Sequence, residues 1–162
     1  MKILIIGNAG SGKSTLSRKI SQELGIPLHG LDKIVWKENW VSTPKPERQK
    51  LIQAIVNKQN WVIDGVSKDV LSAAERVYFL DIPTYKCIFN IVKRFLKNGL
   101  KTRRDLPNNC PEYIGVLKAI KIALIFKKVT RPWIISQCHR PGFIHIENYD
   151  ALRNHPSCEV YK

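Results

Sequence analysis

The sequence is short of acids, of paired cysteines and of long apolar runs, and each shortage removes a class of protein. Asp and Glu number 13 against 27 Lys and Arg, a formal net charge of +14 in 162 residues. An acidic, disordered solvating chain is excluded. The four cysteines, Cys87, Cys110, Cys138 and Cys158, stand 20 to 28 residues apart with no CxxC pair. Neither a disulfide framework nor a zinc ribbon is expected, and the thiols read as buried or idle. The four histidines, His29, His139, His145 and His155, share no metal-ligand spacing on any one element and read as structural or surface residues. No apolar run is long enough to span a bilayer. The four consecutive apolar residues Ile3–Ile6 are too few for a secretion signal. A cytoplasmic protein with no membrane partner is the expectation. An NKxD guanine-reading motif is also absent.

What the chain does have is ordinary globular composition, 44% apolar and 25% charged. Its length suits one domain with a sizeable core, residues 1–162. The charge is uneven. Residues 1–81 carry 12 Lys and Arg against 8 Asp and Glu, whereas residues 82–162 carry 15 against 5. A basic half favours an anionic partner: nucleotide phosphates, nucleic acid or an acidic lipid surface.

Periodicity alternates between strand and helix. Lys2–Ile6 reads as a buried strand. Ser14–Leu24 reads as a helix, with Leu16, Ile20 and Leu24 on one face, ended by Gly25 and Pro27. Residues Leu28–Asp32 form a second short strand and turn. A helix follows "STPKPER" and runs to about Lys58. Trp61–Asp64 and Arg76–Ile82 are further strands, stopped by Gly65 and Pro83. Helices at about Tyr85–Leu96 and Val116–Lys128 bracket a polar, basic loop, residues 97–112. Phe143–Glu147 is a last strand. This alternation implies parallel βαβ units in a three-layer α/β domain.

Residues Gly7, Asn8, Ala9, Gly10, Ser11, Gly12, Lys13 and Ser14 fit GxxxxGK[ST] in full, and Thr15 follows. A strand precedes them and a helix follows, the context the motif requires. Glycines let the backbone curl so that its N–H groups converge on phosphate oxygens, and the helix N-terminus adds partial positive charge. Lys13 is placed to reach the β and γ phosphates and the Ser14 hydroxyl to ligate Mg²⁺. The stretch therefore reads as the binding site for the phosphate tail of a nucleoside triphosphate, ATP with Mg²⁺.

The segments "ILIIGNAGSGKSTLSRKISQELGIPLHGLDKIVWKENWV", "WVIDG", "RVYFLDIP" and "TRRDLPNNCPE" together resemble the adenylate-kinase-like P-loop proteins of the DNA topology modulation (FlaR-related) family, over most of the chain to about Glu147. The resemblance implies a nucleoside-monophosphate-kinase-like fold, a five-stranded parallel sheet of order 2-3-1-4-5, with a short lid at about residues 97–112. It implies no established substrate; the chain's length, its arginine-bearing internal loop and the lack of a guanine-reading motif favour a small ATP-dependent kinase for a small-molecule or nucleotide acceptor. The chain departs from the pattern after its third strand. Adenylate kinases carry DGFPR there, whose arginine grips a phosphate; here the residues are "DGVSKD". Lys68 is the nearest substitute, without the forked geometry of arginine.

The remaining candidates each carry two readings. Asp32, at the rim after the second strand, either binds an acceptor hydroxyl or caps the next helix. Asp64 either holds Mg²⁺ through water or makes an Asp-Gly turn. Asp81 is expected to cap the helix entered through Pro83. Arg94, Arg103 and Arg104 either close over the phosphates as a lid, Arg94 alternatively stacking on the base, or belong to a solvated basic loop. Trp36 and Trp40 either line an acceptor pocket or pack as plain aromatics. Between Lys86 and Arg131 stand 12 basic and 2 acidic residues. A nucleotide-regulated nucleic-acid-binding protein acting on DNA topology is therefore the alternative to a kinase, although no helix-turn-helix, zinc finger or RNA-binding motif is present.

Overall fold

The computed structural model describes residues 1–98 and 106–150. The basic-loop residues Arg103 and Arg104, together with His155 and Cys158, lie outside the described residues.

Strand β1 (Lys2–Gly7) occupies the middle of the sheet, and Ile3 to Gly7 are buried, as the unbroken apolar run requires. It pairs in parallel with β3 (Trp61–Asp64) and β4 (Arg76–Leu80). Short β2 (Leu28–Gly30) lies outside β3, and β5 (Phe143–Ile146) outside β4. The order is β2-β3-β1-β4-β5, all parallel. The five-stranded sheet of order 2-3-1-4-5 is thus the one expected.

Successive strand residues point to opposite faces, so two cores form. Leu4, Ile6, Ile63 and Phe79 meet Ile52 and Val56 of α3 (Lys45–Val56), Val70 and Leu71 of α4 (Lys68–Ala73), and Phe126 and Ile134 of α6 (Glu112–Ile135). On the other face Ile3, Ile5, Val62 and Leu80 meet Leu16 and Ile20 of α1 (Lys13–Leu24) and Cys87 of α5 (Thr84–Asn98). The helix α1 stops as expected at Gly25, whose φ of 64° and the Ile26 N–H to Ser21 carbonyl bond close its last turn. A four-residue helix, α2 (Asp32–Val35), and a 3-10 turn, Glu38–Trp40, link β2 to α3.

Two elements differ from expectation. The short strand β2 ends at Gly30, and where a turn through Asp32 was expected Asp32 instead opens α2. The final helix spans Glu112–Ile135, with Pro132 inside it. The carbonyl that this proline leaves without a helical partner belongs to exposed Lys128, where water can satisfy it.

Asp81 does not stand as a plain helix cap. Arg131 Nε donates to both its carboxylate oxygens at 2.9 Å, and Nη2 lies 2.7 Å from Oδ2. His145 Nε2 is 2.9 Å from the same Oδ2, with its ring stacked on Phe79. The group ties the end of α6 to β4 and β5. Burial alone would raise the Asp81 pKa; hydrogen bonds from Arg131 and His145 outweigh it and hold the carboxyl below its ordinary value of 3.8. A depressed carboxylate contributes stability that is present above the ordinary value and lost as pH falls below it. Asp81→Asn is therefore expected to cost about 1–2 kcal/mol at pH 7, discounted because the arginine is partly in water. In urea melts across pH, the gap between the two proteins closes below pH ~4. A gap that persists unchanged in acid contradicts the charge pairing.

Candidate functional site

Parallel pairing delivers the C-terminal ends of the strands to one rim, and the loops there carry the candidate residues. The loop Gly7–Gly12 leaves β1 and enters α1 directly. Gly10 has φ 79°, and a Cβ on it would sit 2.3 Å from the Cys87 carbonyl. Only glycine allows the loop to press this closely on the first turn of α5. Gly12, at φ 95°, is the N-cap of α1. Its carbonyl accepts from the Thr15 and Leu16 N–H groups.

The candidate side chains converge on this loop. Lys13 Nζ donates to the Asn8 carbonyl at 2.8 Å, arching across the loop. Ser14 Oγ donates to Asp64 Oδ2 at 2.6 Å. The register explains the meeting: Asp64 pairs with Ile5 across β3 and β1, two residues short of the loop. Hydroxyl and carboxylate oxygens form the hard donor set that Mg²⁺ takes, so these residues fit the ion.

The loop is braced from behind. Asn8 is buried, and its Nδ2 donates to the Ala123 carbonyl of α6 at 3.0 Å. Asn90 of α5 donates to the Gly10 carbonyl at 2.9 Å and to the Tyr149 hydroxyl at 3.0 Å. Tyr149, just past β5, in turn donates to the Ser11 carbonyl at 3.2 Å. Burial raises the Tyr149 pKa against the opposing Asn90 hydrogen bond, which preserves the donating phenol. Sequence reading missed both residues. The signals were one amide inside the apolar stretch "CIFNIV" and a tyrosine just after the last strand. Cys87 beneath the loop is a packing residue: burial pushes its thiol up to about 11, so it is no nucleophile at neutral pH.

A cleft of about 1200 Å³ opens from this loop. Lys13, Ser14, Asp64 and Arg94 line it, with Asp32, Trp36, Trp40 and Lys118 also on its walls. Arg94 and Asp32 are thus brought to the same cavity as the loop, on α5 and at the start of α2. The two indoles stand edge to face at 5.4 Å, and the Lys118 ammonium lies 4.8 and 5.5 Å from their centroids. Lys68 is not among the lining residues; its ammonium sits 5.8 Å from the Trp133 ring centre.

A smaller cavity, about 700 Å³, lies beside Asp81, Arg131 and Glu147. Ligand atoms of Asp81, His145 and Glu147 lie within 4.8 Å of one another. Both Asp81 oxygens already accept from Arg131, so the group is an ion-pair network joining three elements. His29 is half-buried, its pKa lowered by desolvation and by Lys58, consistent with a structural histidine.

No family model matches the chain. Adenylate kinase 2 of Synechocystis sp. is 30% identical over 101 aligned positions, covering 50% of this chain and 56% of the relative. The chain thus spans about half the length of the curated relative it matches. Deoxyadenosine kinase from M. mycoides with bound dATP superposes at TM-score 0.57 with 17% identity, covering 91% of each chain. Shikimate kinase from Acinetobacter baumannii in complex with shikimate superposes at TM-score 0.56 with 15% identity, covering 90% of this chain and 82% of that one. Sheet order, loop and these likenesses agree: the chain has the adenylate-kinase-like P-loop kinase fold.

Proposed function

We propose that this protein is an ATP- and Mg²⁺-dependent phosphotransferase that moves the γ-phosphoryl group of ATP to a small-molecule or nucleotide acceptor in the 1200 Å³ cleft. The observation that carries the reading is the Ser14–Asp64 contact of 2.6 Å, set in one cavity with Lys13 and Asp32. A plain glycine-rich turn has no reason to aim a hydroxyl at a carboxylate from a neighbouring strand. The grouping with DNA topology modulation proteins rests on "LDKIVW" and "TRRDLPNNCPE".

The division of work in this proposal is as follows. The loop amides from Gly7 to Thr15 and the Lys13 ammonium hold the β and γ phosphates. Ser14 and Asp64 would hold Mg²⁺, which would neutralise charge on those phosphates. Arg94 contacts the nucleotide. Asp32 orients an acceptor hydroxyl and accepts its proton. The hydroxyl oxygen bonds to the γ phosphorus while the β–γ bridging oxygen leaves with ADP. Arg103 and Arg104 close over the moving group and exclude water. The position of Lys68 over Trp133 leaves the segment after Asp64 without an aimed cation, and Asp32 is a hydroxyl-binding group. An acceptor hydroxyl is therefore favoured over an acceptor phosphate.

Three measurements test the reading. ADP release is followed with ATP, Mg²⁺ and a panel of nucleosides, nucleoside monophosphates and small hydroxy compounds. Stimulation by at least one acceptor is expected, and none across a broad panel argues against transfer. At ATP 100-fold above Kd, binding stabilises the protein by about 2.7 kcal/mol, a rise of several degrees in Tm. Lys13→Ala is expected to abolish that rise, and an unchanged rise shows that ATP binds elsewhere. Arg103→Ala with Arg104→Ala is expected to lower kcat at least ~100-fold with little change in ATP affinity; equal losses in both contradict a lid role.

A further inference from the structure

The kinase reading uses the inner sides of α5 and α6 and leaves their outer sides unexplained. On α5, Tyr85, Phe89, Val92 and Leu96 are all exposed, Phe89 at 65% and Leu96 at 77%. At about 100° per residue they fall within about 60° of one another, a single apolar stripe. Lys86, Lys93 and Lys97 line one flank of it. Helix α6 buries only a narrow line, including Ala123, Phe126 and Ile134. Leu117 at 74% and Val129 at 69% stand in solvent with Leu124 and Ile125. Exposed Lys121 and Lys128 run between Leu117 and Leu124 on one side and Ile125 and Val129 on the other.

Long apolar side chains in this number do not stay in water without a use. We propose that the outer faces of α5 and α6 dock the protein on an anionic lipid surface. Apolar stripes edged by lysines match an acyl boundary beneath acidic headgroups. The charge selects this occupant. Residues 84–98 contain no Asp or Glu, and residues 112–135 contain only Glu112. A second copy meeting the same face would set lysine against lysine. Duplex nucleic acid would satisfy the lysines but leave the leucines and Phe89 without partners. No helix among the described residues is long and apolar enough to cross a membrane, so the helices lie on the surface rather than through it. The proposal departs from the sequence-based expectation of no membrane partner, which rested on the lack of an apolar run long enough to span a bilayer.

The test uses the whole chain with 100 nm vesicles of phosphatidylcholine alone or with ~30% phosphatidylglycerol, sedimented at 0.1 M and 0.5 M salt. Most of the protein is expected to sediment with the anionic vesicles at low salt, and little with the neutral ones or at high salt. Phe89→Glu with Leu96→Glu, and separately Leu117→Glu with Leu124→Glu, are expected to reduce binding at least ~10-fold. Circular dichroism and the ATP-induced Tm rise check that these variants fold. Alanine at Lys86, Lys93 and Lys97 is expected to weaken anionic binding and preserve the apolar stripe. Equal sedimentation with neutral vesicles, or none with anionic ones, overturns the proposal. So does a stable dimer in light scattering that the glutamate variants dissociate. Preference for a DNA duplex over anionic vesicles, insensitive to the glutamate variants, overturns it as well.

Discussion

The parallel pairing of β1 with β3 is the constraint on which the site depends. Ile5 lies opposite Asp64, and the Gly65 N–H donates back to the Ile5 carbonyl at 3.1 Å. Both strands therefore end at the same height, one in the phosphate-type loop and the other in a carboxylate. The Ser14 hydroxyl opens the helix that leaves the loop, and it reaches Asp64 across 2.6 Å. A slip of one residue in this register would turn Asp64 away from α1 to the opposite face, the side of α3. The apolar core fixes the register: Val62 faces one layer, while Trp61 and Ile63 face the other. Core packing thus positions the candidate residues, and two core side chains, Leu16 and Phe126, also reach the cleft wall.

The loop itself is held by groups that came from three directions. Asn8 binds α6 through Ala123, Asn90 binds Gly10 from α5, and Tyr149 reaches Ser11 from beyond β5. Each donates to a backbone carbonyl, Asn8 from within the loop and Asn90 and Tyr149 from outside it, so the loop's curvature is held by tertiary partners. The helices that brace it also line the cleft, α5 through Arg94 and Lys97 and α6 through Gly115, Lys118 and Ile122. Contacts on their outer faces therefore bear on elements that touch the phosphate loop.

Much of this was legible from local pattern. The run "KILII" and the eight residues after it declare a strand, a phosphate-binding loop and a helix start, because each step has a distinct steric demand. Gly25 and Pro27 declare the helix end for the same reason. What was illegible depended on tertiary partners. Helix α4 is six residues long, too short to show periodicity, and exists because Val70 and Leu71 fill the core. The full span of α6 was hidden by Pro132, which ordinarily ends a helix and is tolerated here beside exposed Lys128. Asp81 has the position of a helix cap, and only the folded chain brings Arg131 from 50 residues away to claim it. Asn90 and Tyr149 carry no motif; their role exists only where Gly10 and Ser11 lie against them.

The far wall of the cleft shows where the fold spends stability on position. Asn39 and Trp40 both have left-handed backbones, φ 58° and 59°, a conformation that costs a bulky residue on the order of 1–2 kcal/mol. Several contacts offset that cost. Trp40 Nε1 donates to the Pro111 carbonyl at 3.2 Å, its N–H meets the buried Cys110 sulfur at 3.4 Å, and Lys118 covers the ring. Gly115 is needed as well, since a Cβ there would stand 2.6 Å from the indole. The segment after β2 is thereby fastened to the start of α6 and the residues just before it. Displacing that end of α6 would move Trp40, and with it part of the cleft that Lys13 also lines. The Trp40 wall of the cleft and the residues just before α6 are thus fastened together.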